Sequence, residues 1–169
     1  MTISMYAASV PVFKQMLGGL SHVLAKAEAH ATAKKIDPTV LLQSRLYPDM
    51  FNLTRQVQIA GDFAKGTCAR LAGAEVPSYA DSETTFAELQ ARIVKTLAFI
   101  EAIPAASIDG SEARQIVTQA GTPREKIFAG QSYLLNYSLP HFFFHTTTAY
   151  AILRHNGVEI GKKDFIGTY

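Results

Sequence analysis

Apolar residues recur at spacings of three and four in four separate stretches of the chain, each the stripe of an amphipathic helix. The first stripe, from Ser9 onward, is Phe13, Met16, Leu17, Leu20, Val23, Leu24 and Ala27. Pro11 suits the first turn of a helix that starts there, and it kinks one that starts nearer Ser4. Gly18 and Gly19 each cost roughly 1 kcal/mol relative to Ala in mid-helix, so a close contact is expected at that point. Asp37-Pro38 closes this region, and a short segment from Val40 to Leu46 follows.

Pro48-Asp49 offers a start for the second long helix, whose stripe is Leu53, Val57, Ala60, Ala64, Cys68 and Leu71 and whose stop is Gly73. A polar linker through Pro77 and Asp81 leads to Ser82, with Glu83 and Glu88 near the start of the third helix. Phe86, Leu89, Ile93, Leu97 and Ile100 form its stripe, and Pro104 closes it. The period then fails. Two β-prone runs, Gln115 to Thr118 and Lys126 to Ala129, flank a turn-rich Ala-Gly-Thr-Pro and predict a small hairpin. Tyr133 to Leu139 is apolar but aperiodic. Pro140 fits the first turn of the fourth helix, which carries Phe142, His145, Ala149, Ile152 and Leu153 on one face and stops at His155-Asn156-Gly157. Four such helices with long connections predict a mainly α fold: one domain over residues 1–169, a four-helix bundle with a small β-hairpin between helices three and four.

The 48% hydrophobic and 18% charged content suits a single globular domain. With 16 basic and 14 acidic residues, the Lys34-Lys35 and Lys162-Lys163 pairs are the nearest thing to a basic stripe, so nucleic acid is not an expected partner. The lone cysteine, Cys68, excludes an intrachain disulfide and lies on the apolar stripe of helix two, where it reads as a small hydrophobe. Neither a signal peptide nor an apolar run of about 20 residues is evident, and a cytoplasmic protein without a membrane span is expected.

The chemistry-bearing candidates are few. His141 and His145 stand four apart on the predicted fourth helix, close enough for two imidazoles to share one metal ion. The competing reading of His145 is a core histidine bonded to a neighbouring hydroxyl, and of His141 an exposed residue at a helix start. His155 lies ten residues beyond His145, about 15 Å along the axis, and reads as a cation at the helix C-terminus. Third ligands could come from Gln56, Asp62, His22 or His30, with no spacing that selects among them. Asp62 can serve as ligand, as proton carrier or as partner of Lys65 or Arg55, and Tyr150 is a second conceivable proton carrier beside the cavity. Phe165 and Ile166 suggest that the C-terminal tail docks on the bundle or on a second subunit. Phosphate-loop, Gly-x-Ser-x-Gly and paired-cysteine motifs are absent.

The segments SVPVFKQML, PDMFNLTRQVQIAGDFAK and LPHFFFHTTTAYAILRHNGVEIGKKDFIG, with the overall length, resemble an uncharacterised family of bacterial proteins known as a domain of unknown function. That family looks like a branch of the DinB/YfiT-like superfamily of four-helix bundles. Its members are often dimeric, many hold a divalent metal with three histidines, and some act as thiol-dependent transferases or hydrolases. Two of those histidines form a His-x-x-x-His pair followed nine residues later by an Arg, a spacing that His141, His145 and Arg154 reproduce. The third, expected early in helix two, has no counterpart between Pro48 and Gly73, and Gln56 stands nearest its place. In the nearer family Asn is expected at the position of His141. The resemblance thus implies a partial or vestigial site of His141, His145 and Gln56 for zinc, nickel or manganese. A small-ligand pocket beside His145, with Asp62 and Tyr150, is expected as well, and the resemblance implies a homodimer. The rival expectation is a non-catalytic homodimeric binding or stress-response scaffold.

Overall fold

The computed structural model describes residues 3–168. Helix α1 spans Val10–Lys34 with Pro11 in its first turn, and Lys35 in the left-handed region (φ 55°) returns its N–H to Ala31 and Thr32. A short α2, Pro38–Gln43, is capped by Asp37, whose carboxylate accepts the Thr39 N–H. Helix α3 covers Leu53–Ala72, and its cap is Asn52, which accepts the Arg55 N–H. The helix therefore starts after Pro48-Asp49, because the side chain that satisfies its first free amide lies at 52. Gly73, with φ 70°, ends it in the left-handed conformation that glycine adopts without steric cost.

Helix α4, Phe86–Glu101, opens on a reciprocal capping box between Thr85 and Glu88, so it too begins later than Ser82. After α5 (Ala105–Ile108), strands β1 (Gln115–Thr118) and β2 (Lys126–Ala129) pair antiparallel, with Ile116 opposite Phe128. From Gly130 the chain is helical without a break: α6 (Gly130–Ser132), a π-helical turn (Tyr133–Ser138) and α7 (Leu139–His155). The wider i→i+5 turn explains why the 3.6-residue period disappears over Tyr133 to Leu139. A final α8 spans Lys162–Ile166.

Helix α3 packs between α7 and α4, and α1 closes the bundle against α4 and α7. The core where they meet holds Phe13, Leu17, Leu24, Leu53, Leu71, Phe86, Leu89 and Phe142, all essentially without solvent exposure. Phe13 and Phe142 meet edge to face, 4.8 Å between centroids. The expected tight contact at Gly18-Gly19 involves one glycine only. Gly19 receives the backbone of Phe165, whereas Gly18 faces open space. The tail is held there by Gln15, whose Nε2 donates to the Ile166 carbonyl at 3.1 Å, and by Asp164, which accepts from His22 and Lys26. Among the described residues no helix is long and apolar enough to cross a membrane.

Candidate functional site

Where α7 leans on α3, apolar periodicity brings His145 to the helix interface, and its residue is 8% exposed. Its Nδ1 lies 2.7 Å from Gln56 Oε1. The sense of that hydrogen bond is fixed by the other end of the carboxamide: Gln56 Nε2 donates to the Phe51 carbonyl at 3.1 Å. Oε1 must therefore accept, Nδ1 carries the proton, and Nε2 keeps a lone pair. Burial, then the neighbouring His141 and the Arg55 guanidinium, push the His145 pKa down to about 4. The ring is neutral at neutral pH.

His141, one turn earlier, is held by aromatic faces. Phe63 of α3 stacks on it at 4.8 Å and 7°, and Tyr137 of the π turn lies 4.6 Å away on a tilted plane. Phe63 also runs nearly parallel to the His145 ring, 6.1 Å between centroids, and Phe144 meets His145 edge-on. Burial, with the charge of Lys126 second, lowers the His141 pKa from its ordinary value. Burial thus keeps the His145 imidazole uncharged, and the more exposed His141 is biased the same way.

The chemistry of the donor set decides how far a metal fits. Gln56, the residue nearest the third ligand position, has its carbonyl oxygen engaged by His145 Nδ1. Among the described residues no group of three or more His, Cys, Asp or Glu is placed to hold a metal ion. Two imidazoles fall short of the three protein ligands that catalytic zinc sites use. The residues present do not fit a three-ligand centre.

The other candidates are dispersed. Asp62 Oδ1 accepts from Lys65 at 2.7 Å and from the buried Arg92 at 2.9 Å, with Arg92 also paired to Asp81 and Glu83. Arg92 is a partner that sequence spacing did not single out; Arg55 pairs instead with Asp81. Tyr150 faces the tail and packs on Phe165, so the structure does not bring it together with Asp62. His22 pairs with Asp164 at the surface, and His155 is exposed in the last turn of α7. Cys68 is fully buried, and burial raises its thiol pKa to about 12, as suits an inert core residue.

Sequence spacing also gave no sign of a 160 Å³ pocket on the far side of Phe63, where α3, the hairpin and the π turn meet. Asp62, Arg70, Thr118 and Tyr137 line it. Its α3 wall lies more than forty residues from its hairpin and π-turn walls, so no local pattern could have announced it.

Comparison with known proteins agrees with this architecture. The model of the DUF1993 family, a domain of unknown function, matches residues 5–166. A solved structure described as a DinB family member protein from Shewanella denitrificans is 46% identical. It covers 97% of this chain and 92% of its own, with a TM-score of 0.90. No curated protein matches. A family match over nearly the whole length, on a DinB-like helical bundle, places this chain in the DUF1993 family.

Proposed function

We propose that this protein is a ligand-binding bundle in which the His141–His145 pair offers a neutral imidazole edge within an aromatic clamp and holds no three-ligand metal centre. The observation that carries this reading is the Gln56–His145 hydrogen bond, which occupies the would-be third donor and leaves Nε2 as an acceptor. Magnitude separates binding from base catalysis. With a conjugate-acid pKa of about 4, taking a proton from a thiol of ordinary pKa is uphill by about 6 kcal/mol. Such a ring accepts a hydrogen bond readily and a proton poorly, which supports binding over thiol transfer or hydrolysis. Elemental analysis of untagged protein beside His145→Ala tests the reading. Metal well below stoichiometric in both is expected; near-stoichiometric zinc, nickel or manganese that disappears in the variant would overturn it.

A homodimer has its own support in the exposed aromatic flank next to this site. Phe51 is 56% exposed, Phe144 55% and Tyr47 65%, and they adjoin an apolar hollow of 500 Å³ lined by Leu46, Met50, Pro140, Phe143 and Ala151. Aromatic side chains half-exposed in this way offer on the order of 100 Å² each, so these three supply over a third of the ~800 Å² per partner of a standard interface. Protrusion and hollow on one face are what a two-fold pairing of identical surfaces requires. We assign a second copy of this chain to it. Sedimentation equilibrium is expected to give a dimer for the parent and a monomer for Phe144→Glu; a monomeric parent would contradict the assignment.

A further inference from the structure

Arg70 stands in the last turn of α3, half-buried, with no carboxylate within ion-pair distance among the described residues. Its one hydrogen bond runs from Nη1 to the Tyr133 hydroxyl at 3.2 Å. The guanidinium lies close over Gly66, where an added Cβ would come within 2.7 Å of Nη1. A glycine at 66 therefore leaves the cation room to lie along the wall of the pocket beside Phe63. A partly desolvated cation without a counter-ion is unfavourable, and an anion relieves it.

Two further features of the same pocket are unexplained by the fold. Thr118 is 5% exposed, and its Oγ1 has no hydrogen-bond partner among the described residues. Buried hydroxyls are ordinarily satisfied, so an orphan one lining a cavity marks a place for a polar ligand atom. Gln119, next along the wall, holds φ 51°, a left-handed conformation uncommon for a residue other than glycine. The remaining walls are the rings of Phe63, Tyr133 and Tyr137. Asp62 reaches the rim, but its Oδ1 already accepts from Lys65 and Arg92, so its charge is compensated.

We propose that this pocket binds a small aliphatic monocarboxylate, its carboxylate on the Arg70 guanidinium and the Thr118 hydroxyl and its apolar body against the joined rings of Phe63 and Tyr137. A volume of 160 Å³ corresponds to roughly five water molecules, which limits the ligand to the acetate-to-butyrate range. Three aromatic walls leave too few polar partners for the four oxygens of a phosphate dianion, which favours a ligand with one charged end. The pocket needs neither histidine for this role, so it stands apart from the reading of the His141–His145 pair.

Titration of the ¹⁵N-labelled full chain with sodium propionate at constant ionic strength, followed by amide shifts, tests the proposal. Saturable shifts centred on Arg70, Thr118 and Gln119 are expected, unchanged in His145→Ala and absent with propionamide, the neutral analogue of the same shape. Arg70→Gln is expected to weaken binding by at least roughly tenfold, and the near-isosteric Thr118→Val by several-fold, through loss of a charge-assisted and a neutral hydrogen bond respectively. Each variant is first checked for a native-like spectrum, so that one remains informative if the other misfolds. The absence of saturable shifts, equal shifts with propionamide, or tighter saturation by inorganic phosphate would overturn it.

Discussion

Gln56 Oε1 and His145 Nδ1 lie 2.7 Å apart across the α3–α7 interface, and that contact fixes the tautomer, orientation and charge of the central imidazole. Because burial and its neighbours hold the folded pKa at about 4, the unfolded chain, titrating near 6.5, binds the extra proton first. The contribution is fully present above about pH 6.5 and is lost as pH falls toward about 4, at up to ~1.4 kcal/mol per pH unit and about 3 kcal/mol in all. Urea midpoints should therefore drop between neutral pH and about pH 4.5, above the range where most carboxylates titrate. His145→Gln should flatten much of that slope, with His141, also shifted down, supplying what remains.

Gln56→Leu removes the acceptor and leaves a buried Nδ1–H without a partner. A loss of about 1–3 kcal/mol in unfolding free energy is expected. Gln56→Glu keeps an acceptor but adds a negative charge, so the His145 pKa should rise in that variant. NMR titration of the two proteins separates the effects, since only the second preserves the hydrogen bond while moving the titration.

Arg92 is a structural clamp. Its side chain is 2% exposed and binds Asp62 at 2.9 Å, Asp81 at 3.0 Å and Glu83 at 2.9 Å, with a further hydrogen bond to the Ala80 carbonyl. These contacts tie the linker between α3 and α4 to both helices. Arg92→Ala should cost about 3–5 kcal/mol by leaving the carboxylates without their shared cation. Amide exchange over residues 79–83 should accelerate more than elsewhere. Arg92→Lys should recover only part of the loss, since an ammonium cannot reproduce the planar fork.

The two adjacent glycines of α1 should respond in opposite directions. Gly18 faces open space, so Gly18→Ala is expected to stabilise the helix by about 0.5–1 kcal/mol. At Gly19 an added methyl meets the Phe165 carbonyl, so Gly19→Ala should destabilise by about 1–3 kcal/mol and loosen α8. Urea titration gives the sign of each, and limited proteolysis of the tail shows whether α8 has left α1.

Most of the bundle is legible in the chain because each long helix carries its own stripe, from Phe13 to Ala27 or from Leu53 to Leu71, and both hairpin strands are bounded by turn residues. Boundaries are less so. Pro48-Asp49 has the composition of a helix start, but Asn52 is the residue whose side chain caps α3, and only the path of the chain shows it. The histidine pair is visible as a spacing, yet the state of His145 depends on Gln56, 89 positions away in sequence. Phe63 sits beside the stripe of α3, so nothing local reveals that it stacks on His141. Arg70 and Thr118 line one pocket only because the hairpin comes beside the end of α3. Such pairings arise from topology and leave no period in the sequence.

Long-range ¹H–¹⁵N spectra of the histidine side chains at neutral pH test the central claim most directly. His145 is expected as the neutral Nδ1–H tautomer, with an Nε2 shift typical of a free lone pair and a titration midpoint at about 4. An Nε2–H tautomer, or a midpoint near the ordinary histidine value of about 6.5, would contradict the Gln56–His145 hydrogen bond and the neutral binding site built on it.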